Sequence, residues 1–229
     1  MAALPAKDGV RIQDGSTTPE PGGGNRLRAP DRRWLASWIW IVAAGEALGF
    51  LAPATVGVVF SQSTALVPLL LIGGAIEGAV LGSAQAIVLR RRLPRLSATA
   101  WVALTAAGAV VAYAAGMIPS STADIWTSWA WPAQAALFAG VAVVLLLSIG
   151  IAQWLELRRH VQRAAWWIPG TAAAWLVALA LFFAITTPLW HSGQAVAIAV
   201  LVGVVAGLAM AAMMATITGL ILLLLLRAP

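Results

Sequence analysis

Long runs of apolar residues divide this chain. Within them, polar positions follow neither a two-residue alternation nor a one-sided 3.6-residue period. Blocks that are apolar on all faces are the mark of membrane spans rather than of half-buried helices or strands. Reading the blocks between charges and turn residues predicts helices at 34–60, 64–89, 98–118, 132–157, 165–188 and 195–226. Each exceeds the ~20 residues that cross ~30 Å of hydrocarbon. The expected fold class is an all-α integral membrane protein with six transmembrane helices.

Residues 1–33 break the pattern. Glycine, proline and mixed charge dominate there, which predicts a disordered cytoplasmic tail ahead of a six-helix domain at 34–227. The tail does not read as a signal peptide. The first apolar run begins too late, is too long for an h-region, and lacks an A-x-A-like cleavage site.

Composition agrees with the pattern: charged residues are 10% and apolar ones 61%, against roughly 25% charged in soluble domains. The formal charge of +6 does not point to nucleic acid, because its placement is topological. Every Lys and Arg lies in the N-terminal tail, at 90–95, at 158–163 or at Arg227. The connections 61–63, 119–129 and 191–193 carry none. The positive-inside rule then predicts a multi-pass protein of the cell (inner) membrane with both termini cytoplasmic. Trp34, Trp38, Trp40, Trp101, Trp154, Trp166 and Trp167 fall near the inner interface. Trp126, Trp129, Trp131 and Trp190 fall near the outer one. The reading is an aromatic belt.

The chain has no cysteine, which excludes disulfides, thiolate metal sites and cysteine nucleophiles. Its two histidines, His160 and His191, fall in predicted loops, which excludes a bis-histidine haem within the membrane. No cofactor or metal is expected; His191 and Asp124, on separate outer loops, make a poor metal site.

An internal repeat appears at the arginine clusters. GSAQAIVLRRRLPR (82–95) matches GIAQWLELRRHVQR (150–163) at Gly, Gln, Leu and three Arg positions, at an offset of 68. Gly219, Leu226 and Arg227 form a weaker third copy. The odd helices each open near a tryptophan (Trp34, Trp101, Trp167) and carry an outer proline (Pro53, Pro119, Pro188). The unit is a helical hairpin used three times, at about 34–90, 98–158 and 165–227, as a parallel repeat. Gly74, Gly78 and Gly82 form a small-residue ladder, and Gly203, Gly207 and Gly219 form a longer one with intervening alanines. Such ladders let helices approach closely in lipid, either within the bundle or against a second copy of the chain.

The pattern G-x-x-Q-W-x-x-L-R-R at 150–159, followed by a tryptophan-rich helix, resembles small uncharacterised multi-span membrane proteins of bacteria. The resemblance covers only the repeated motif and implies no activity. Three hairpins with prolines in the odd helices are also a feature of mitochondrial-type carriers. The proline–acid–base signature of that family is absent here, since Pro53 is followed by ATVGVV and Pro119 by SSTAD, and that match is rejected.

Two acids lie inside predicted spans. Glu77 and Glu46 fall ~20 Å from either end of adjacent helices, near the midplane. An ionised carboxylate there costs at least a few kcal/mol, and no Arg, Lys or His lies within any span. At neutral pH at least one is expected to be protonated, either singly or as a pair sharing one proton. Equivalent positions elsewhere carry no acid: Glu46 maps near Tyr113, and Glu77 maps to Leu145 and Met214. Gln85, Gln153 and Tyr113 are supporting polar residues, the glutamines bonding across helices near the cytoplasmic face. Arg90, Arg91, Arg158 and Arg159 can meet anionic lipid headgroups. Glu156 is expected in a surface ion pair with Arg159 or Arg163.

An enzyme is the least expected class, since no zincin helix, Walker loop or serine–histidine constellation occurs. Two readings stand. One is a small proton-linked transporter or channel using Glu46 and Glu77. The other is a non-catalytic membrane subunit or scaffold that docks partners through small-residue faces and the tail. A cavity leading to the acids favours the first; a dry bundle favours the second.

Overall fold

The computed structural model describes residues 28–191 and 193–227. Most of the expected tail, residues 1–27, lies outside them. The described chain is α-helical: α1 (Ala29–Val59), α2 (Leu66–Leu89), α3 (Ala98–Ser121), the single turn α4 (Ala123–Trp126), α5 (Trp131–Leu157), α6 (Trp167–Leu189) and α7 (Val196–Arg227). A 3₁₀ turn, Ala164–Trp166, leads into α6. All but α4 are long and apolar enough to cross a membrane, as a multi-pass membrane protein requires.

The first helix starts at Ala29, inside the stretch expected to be tail. A proline stands in its first turn with Asp31 beside it. Proline costs nothing where the N–H has no partner anyway, and an acid there complements the helix dipole. Mixed charge therefore marks a helix start here as well as a tail. At the far ends, Pro53, Pro119 and Pro188 lie inside α1, α3 and α6, close to where those helices stop.

The six long helices form a ring. Each packs mainly on its chain neighbours, α1 on α2, α2 on α3, α3 on α5, α5 on α6 and α6 on α7, and α7 closes onto α1. Apolar burial cannot drive this association in lipid, so close van der Waals contact must. A glycine supplies it at every seam. A Cβ added to Gly49 would lie 3.0 Å from Cα of Glu77, one on Gly78 2.8 Å from Cα of Ala106, and one on Gly108 2.8 Å from Cα of Ile149. At the remaining seams Gly150 faces Ile168, Gly170 faces Ile221, and Gly219 faces Leu35 and Trp38.

The ladder expected on the last helix packs only in part. Gly219 is buried in its seam, but a Cβ on Gly207 would meet nothing within 4 Å, and one on Gly203 only the rim of Trp190. The cause is a gradient of packing along the ring. The buried residues of α5 are Ile149, Gly150, Gln153, Glu156 and Leu157, all near its arginine end. Those of α7 begin at Ala206. The helices are tight at the arginine end and spread at the other.

The tryptophans divide accordingly. Trp40, Trp131 and Trp166 are exposed, in keeping with a belt, but Trp38, Trp101 and Trp167 are 0% exposed and Trp34 is buried too. These four are core residues. An indole can sit inside a bundle when its N–H finds an acceptor, and each of these does.

Candidate functional site

Glu46 and Glu77 lie at the seam between α1 and α2, where glycines bring the two backbones together. Gly49, one turn beyond Glu46, lets the α1 backbone lie against Glu77. Gly73 similarly admits Pro53, whose Cα would lie 3.0 Å from a Cβ at that position. The two carboxyl groups are near enough to interact directly. Glu46 is 1% exposed, and neither of its oxygens accepts a hydrogen bond from a described N–H or O–H group. Among the described residues, no lysine, arginine or histidine lies at this depth.

Glu77 has a further partner. The chain's single tyrosine, Tyr113 of α3, donates its hydroxyl to Glu77 Oε2 at 2.5 Å. The ring can stand there because Gly74 leaves it room: a Cβ at Gly74 would lie 2.8 Å from Tyr113 Cγ. The ladder of Gly74, Gly78 and Gly82 thus has two duties. Gly78 and Gly82 seat the α3 backbone near Ala106 and Val102, and Gly74 seats the phenol.

A cavity of about 350 Å³ lies inside the ring and reaches Glu77 and Tyr113. All six long helices line it, from Phe50 on α1 to Met210 on α7. Apart from the acid and the phenol, its lining residues are glycine, alanine, aliphatic, methionine or aromatic. It runs from the level of Leu81 and Ile149 toward Leu70 and Met117, away from the arginines. Glu46 is not among its lining residues.

Below the cavity a polar plug closes the axis. Gln153 Nε2 donates to Gln85 Oε1 at 2.7 Å and to Thr105 Oγ1 at 3.0 Å. Trp101 Nε1 donates to the same Gln85 oxygen at 3.1 Å, and Trp167 Nε1 to Gln153 Oε1 at 2.9 Å. Four helices meet in this network. At the α7–α1 seam the corresponding bond runs from Trp38 Nε1 to Thr218 Oγ1 at 3.3 Å. Leu222 stands where the glutamine would be, and Trp34 turns its N–H to the Val88 carbonyl at 3.2 Å instead.

The arginine end carries two knots; the pairing of Glu156 with Arg159 was expected, while its burial and the whole Asp31 clasp were not. Asp31 accepts from Arg92 at 2.8 Å and from Arg227, joining the start of α1, the α2–α3 loop and the end of α7. Arg92 also lies over the Trp34 ring, 5.7 Å from its centroid. Glu156 is 2% exposed rather than on the surface. It accepts from the Ser97 backbone at 2.9 Å, from Arg159 at 3.1 Å, and pairs with His160 at 3.1 Å. The close approach of the 90–97 loop to α5 buries it, a long-range contact that i, i+3 spacing does not reveal. Of the four arginines singled out for lipid, Arg159 is thus paired and Arg158 stacks on Trp154 at 4.7 Å. Arg90 and Arg91 are exposed.

No group of three or more His, Asp or Glu side chains is placed to hold a metal among the described residues. No protein-family signature, curated protein or solved structure matches this chain.

Proposed function

We propose that this protein is a small proton-linked transporter or channel of the cell membrane, with Glu46, Glu77 and Tyr113 as its midplane site. In this reading three hairpins, α1–α2, α3–α5 and α6–α7, form a parallel repeat, and the arginine end with both termini faces the cytoplasm. The bacterial motif proteins that the repeat resembles are its natural comparison. The observation that carries the reading is the cavity: it leads to one carboxyl of a buried acid pair whose other member, among the described residues, has no donor apart from its partner acid. Two carboxyls can bond to each other only when one carries a proton, and intramembrane acids are functional by default expectation. The pair can hold a proton, release it toward the cavity and take it back, with Tyr113 steadying the charged form of Glu77.

Proton flux in proteoliposomes is the test. Wild-type protein is expected to dissipate an imposed pH gradient, and Glu77→Gln and Glu46→Gln are expected to abolish or strongly slow it. Equal flux in wild type and both variants would sink the proposal.

A second reading has one observation in its favour. The outer half of α7, with Gly203 and Gly207, presents an unpacked small-residue face, as a subunit that docks a membrane partner or a second copy of itself would. The chain lacks cysteine, so Gly203→Cys gives a single reporter. Oxidative crosslinking to a dimer supports this reading, and its absence in native membranes counts against self-association.

A further inference from the structure

The chemistry of the cavity wall selects an occupant, and the inference rests on the transport reading above. We infer that the cavity binds a hydrophobic organic cation, an amine or quaternary onium compound, with its positive centre at Glu77 and Tyr113 and its hydrocarbon against the aromatic wall.

Volume is the first argument. About 350 Å³ falls in the range of sites for small organic molecules, which are lined mostly by apolar and aromatic groups with a few placed polar ones. A bare proton path needs no such space.

The wall itself excludes inorganic ions. A hydrated metal ion entering here would find one carboxyl and one phenol. Calcium takes six to eight oxygens and magnesium a full octahedron. An anion fares worse, since no cationic side chain lines the cavity and its ionisable lining groups are the acid and the phenol. A diffuse organic cation loses little hydration on entry, and the apolar wall suits its hydrocarbon. Phe50, Trp175, Phe182 and Phe183 also present aromatic rings to the space, and aromatic faces attract cations where water is excluded.

The sealed partner acid completes the argument. Glu46 lies behind Glu77, outside the cavity lining, and among the described residues it has no donor other than its partner acid. While the pair holds one proton its net charge is −1, and with two it is neutral. A cation arriving at the neutral pair displaces a proton: the O–H bond of one carboxyl breaks, the proton leaves to water, and the cation takes its place in the ion pair. One positive charge replaces another, so the buried site keeps its charge. Exchange of cation for proton follows from that conservation.

The experiment uses the purified full chain in detergent and two probes of nearly equal size and opposite charge, tetraphenylphosphonium and tetraphenylborate. Calorimetry is run in two buffers of different ionisation enthalpy. The expected result is saturable binding of tetraphenylphosphonium, one per chain, with about one proton released, and at least tenfold weaker binding of tetraphenylborate. Glu77→Gln should weaken the cation at least tenfold, and Glu77→Asp should retain most of the affinity. If Glu77→Gln proves unfolded by circular dichroism, the wild-type comparison of the two probes decides, with Phe182→Ala as the second variant. Equal binding of both probes assigns the cavity to a lipid acyl chain and overturns the inference, as does the lack of saturable cation binding. If glutamate-dependent proton flux persists after such a result, the transport reading survives with a different coupled species. If the cation binds but no flux exists, the site stands and transport falls.

Discussion

The phenol of Tyr113 and the carboxyl of Glu77 meet at 2.5 Å across the seam between α2 and α3, with Gly74 as the seat of the ring. The contact joins the acid pair to a third helix and places its polar edge in the cavity wall. Removing the hydroxyl as Tyr113→Phe keeps the ring and deletes one charge-assisted bond. A loss of about tenfold in proton flux, ~1.4 kcal/mol, is expected with little change in thermal stability. Gly74→Ala attacks the same contact from below and should lower both flux and melting temperature, because the methyl overlaps the ring. Flux assays and melting of the two purified variants, run together, separate the two effects.

The glutamine plug predicts a coupling energy. Gln85→Leu leaves the Trp101 indole without its acceptor, and Gln153→Leu does the same to Trp167. Interhelical hydrogen bonds in membranes average ~0.6 kcal/mol and reach ~1.7, so each single change should cost about 1–2 kcal/mol. The shared bond is lost in either variant, so the double variant should cost less than the sum by about 0.5–1 kcal/mol. Unfolding of the four proteins in a double-mutant cycle gives the number, and strict additivity would show that the plug does not act as a unit.

The Asp31 clasp is open to salt. Its partners Arg92 and Arg227 are each about one-third exposed, so water and ions reach the pairs. Asp31→Asn should lower the melting temperature at low ionic strength, and the gap to wild type should shrink as salt is raised to ~1 M. A gap that is independent of salt would mean that packing, not charge, holds this corner.

Glycines of like spacing should answer differently to one methyl group. At Gly78 a Cβ would come 2.8 Å from the Ala106 Cα and 2.9 Å from the Thr105 carbonyl oxygen. Gly78→Ala should therefore push α3 away and cost ~1–3 kcal/mol. At Gly207 nothing lies within 4 Å, so Gly207→Ala should gain up to ~1 kcal/mol from reduced backbone freedom. Thermal melts of the two variants should move in opposite directions.

The number, length and class of the helices were legible because long all-round apolar blocks between arginine clusters have few other solutions. The level of the two glutamates followed from rise per residue, and the small-residue ladder of α2 pointed to its seam. Rotation of each helix was not legible. Depth along the sequence put Trp38, Trp101 and Trp167 at an interface, but which way an indole points depends on neighbours that local spacing does not name. The glutamine found in two copies of the motif was the available signal, since a buried amide needs partners and an indole is a common one. Tyr113 was aligned with Glu46 by the repeat and turned out to serve Glu77, because hydrogen bonds join facing positions and repeats align equivalent ones. The Asp31 clasp and the burial of Glu156 were hidden for a related reason: Arg92 and Arg227 for the first, and the Ser97 backbone for the second, are brought near only by the folded ring.

The ring closure of α7 onto α1 bears on how the protein is made. Helices that pack mainly on their chain neighbours can settle one hairpin at a time as they leave the ribosome, with each new pair docking on the last. The seam between α1 and α7 is the exception, for it must wait until nearly the whole chain has been synthesised. Until then Gly219 is missing from the side of Trp38, one flank of the first helix stays in lipid, and the central cavity lacks the side that Met210 closes. Stalled or shortened chains should be recognised by quality control at that open flank, and the final helix acts as the keystone of assembly.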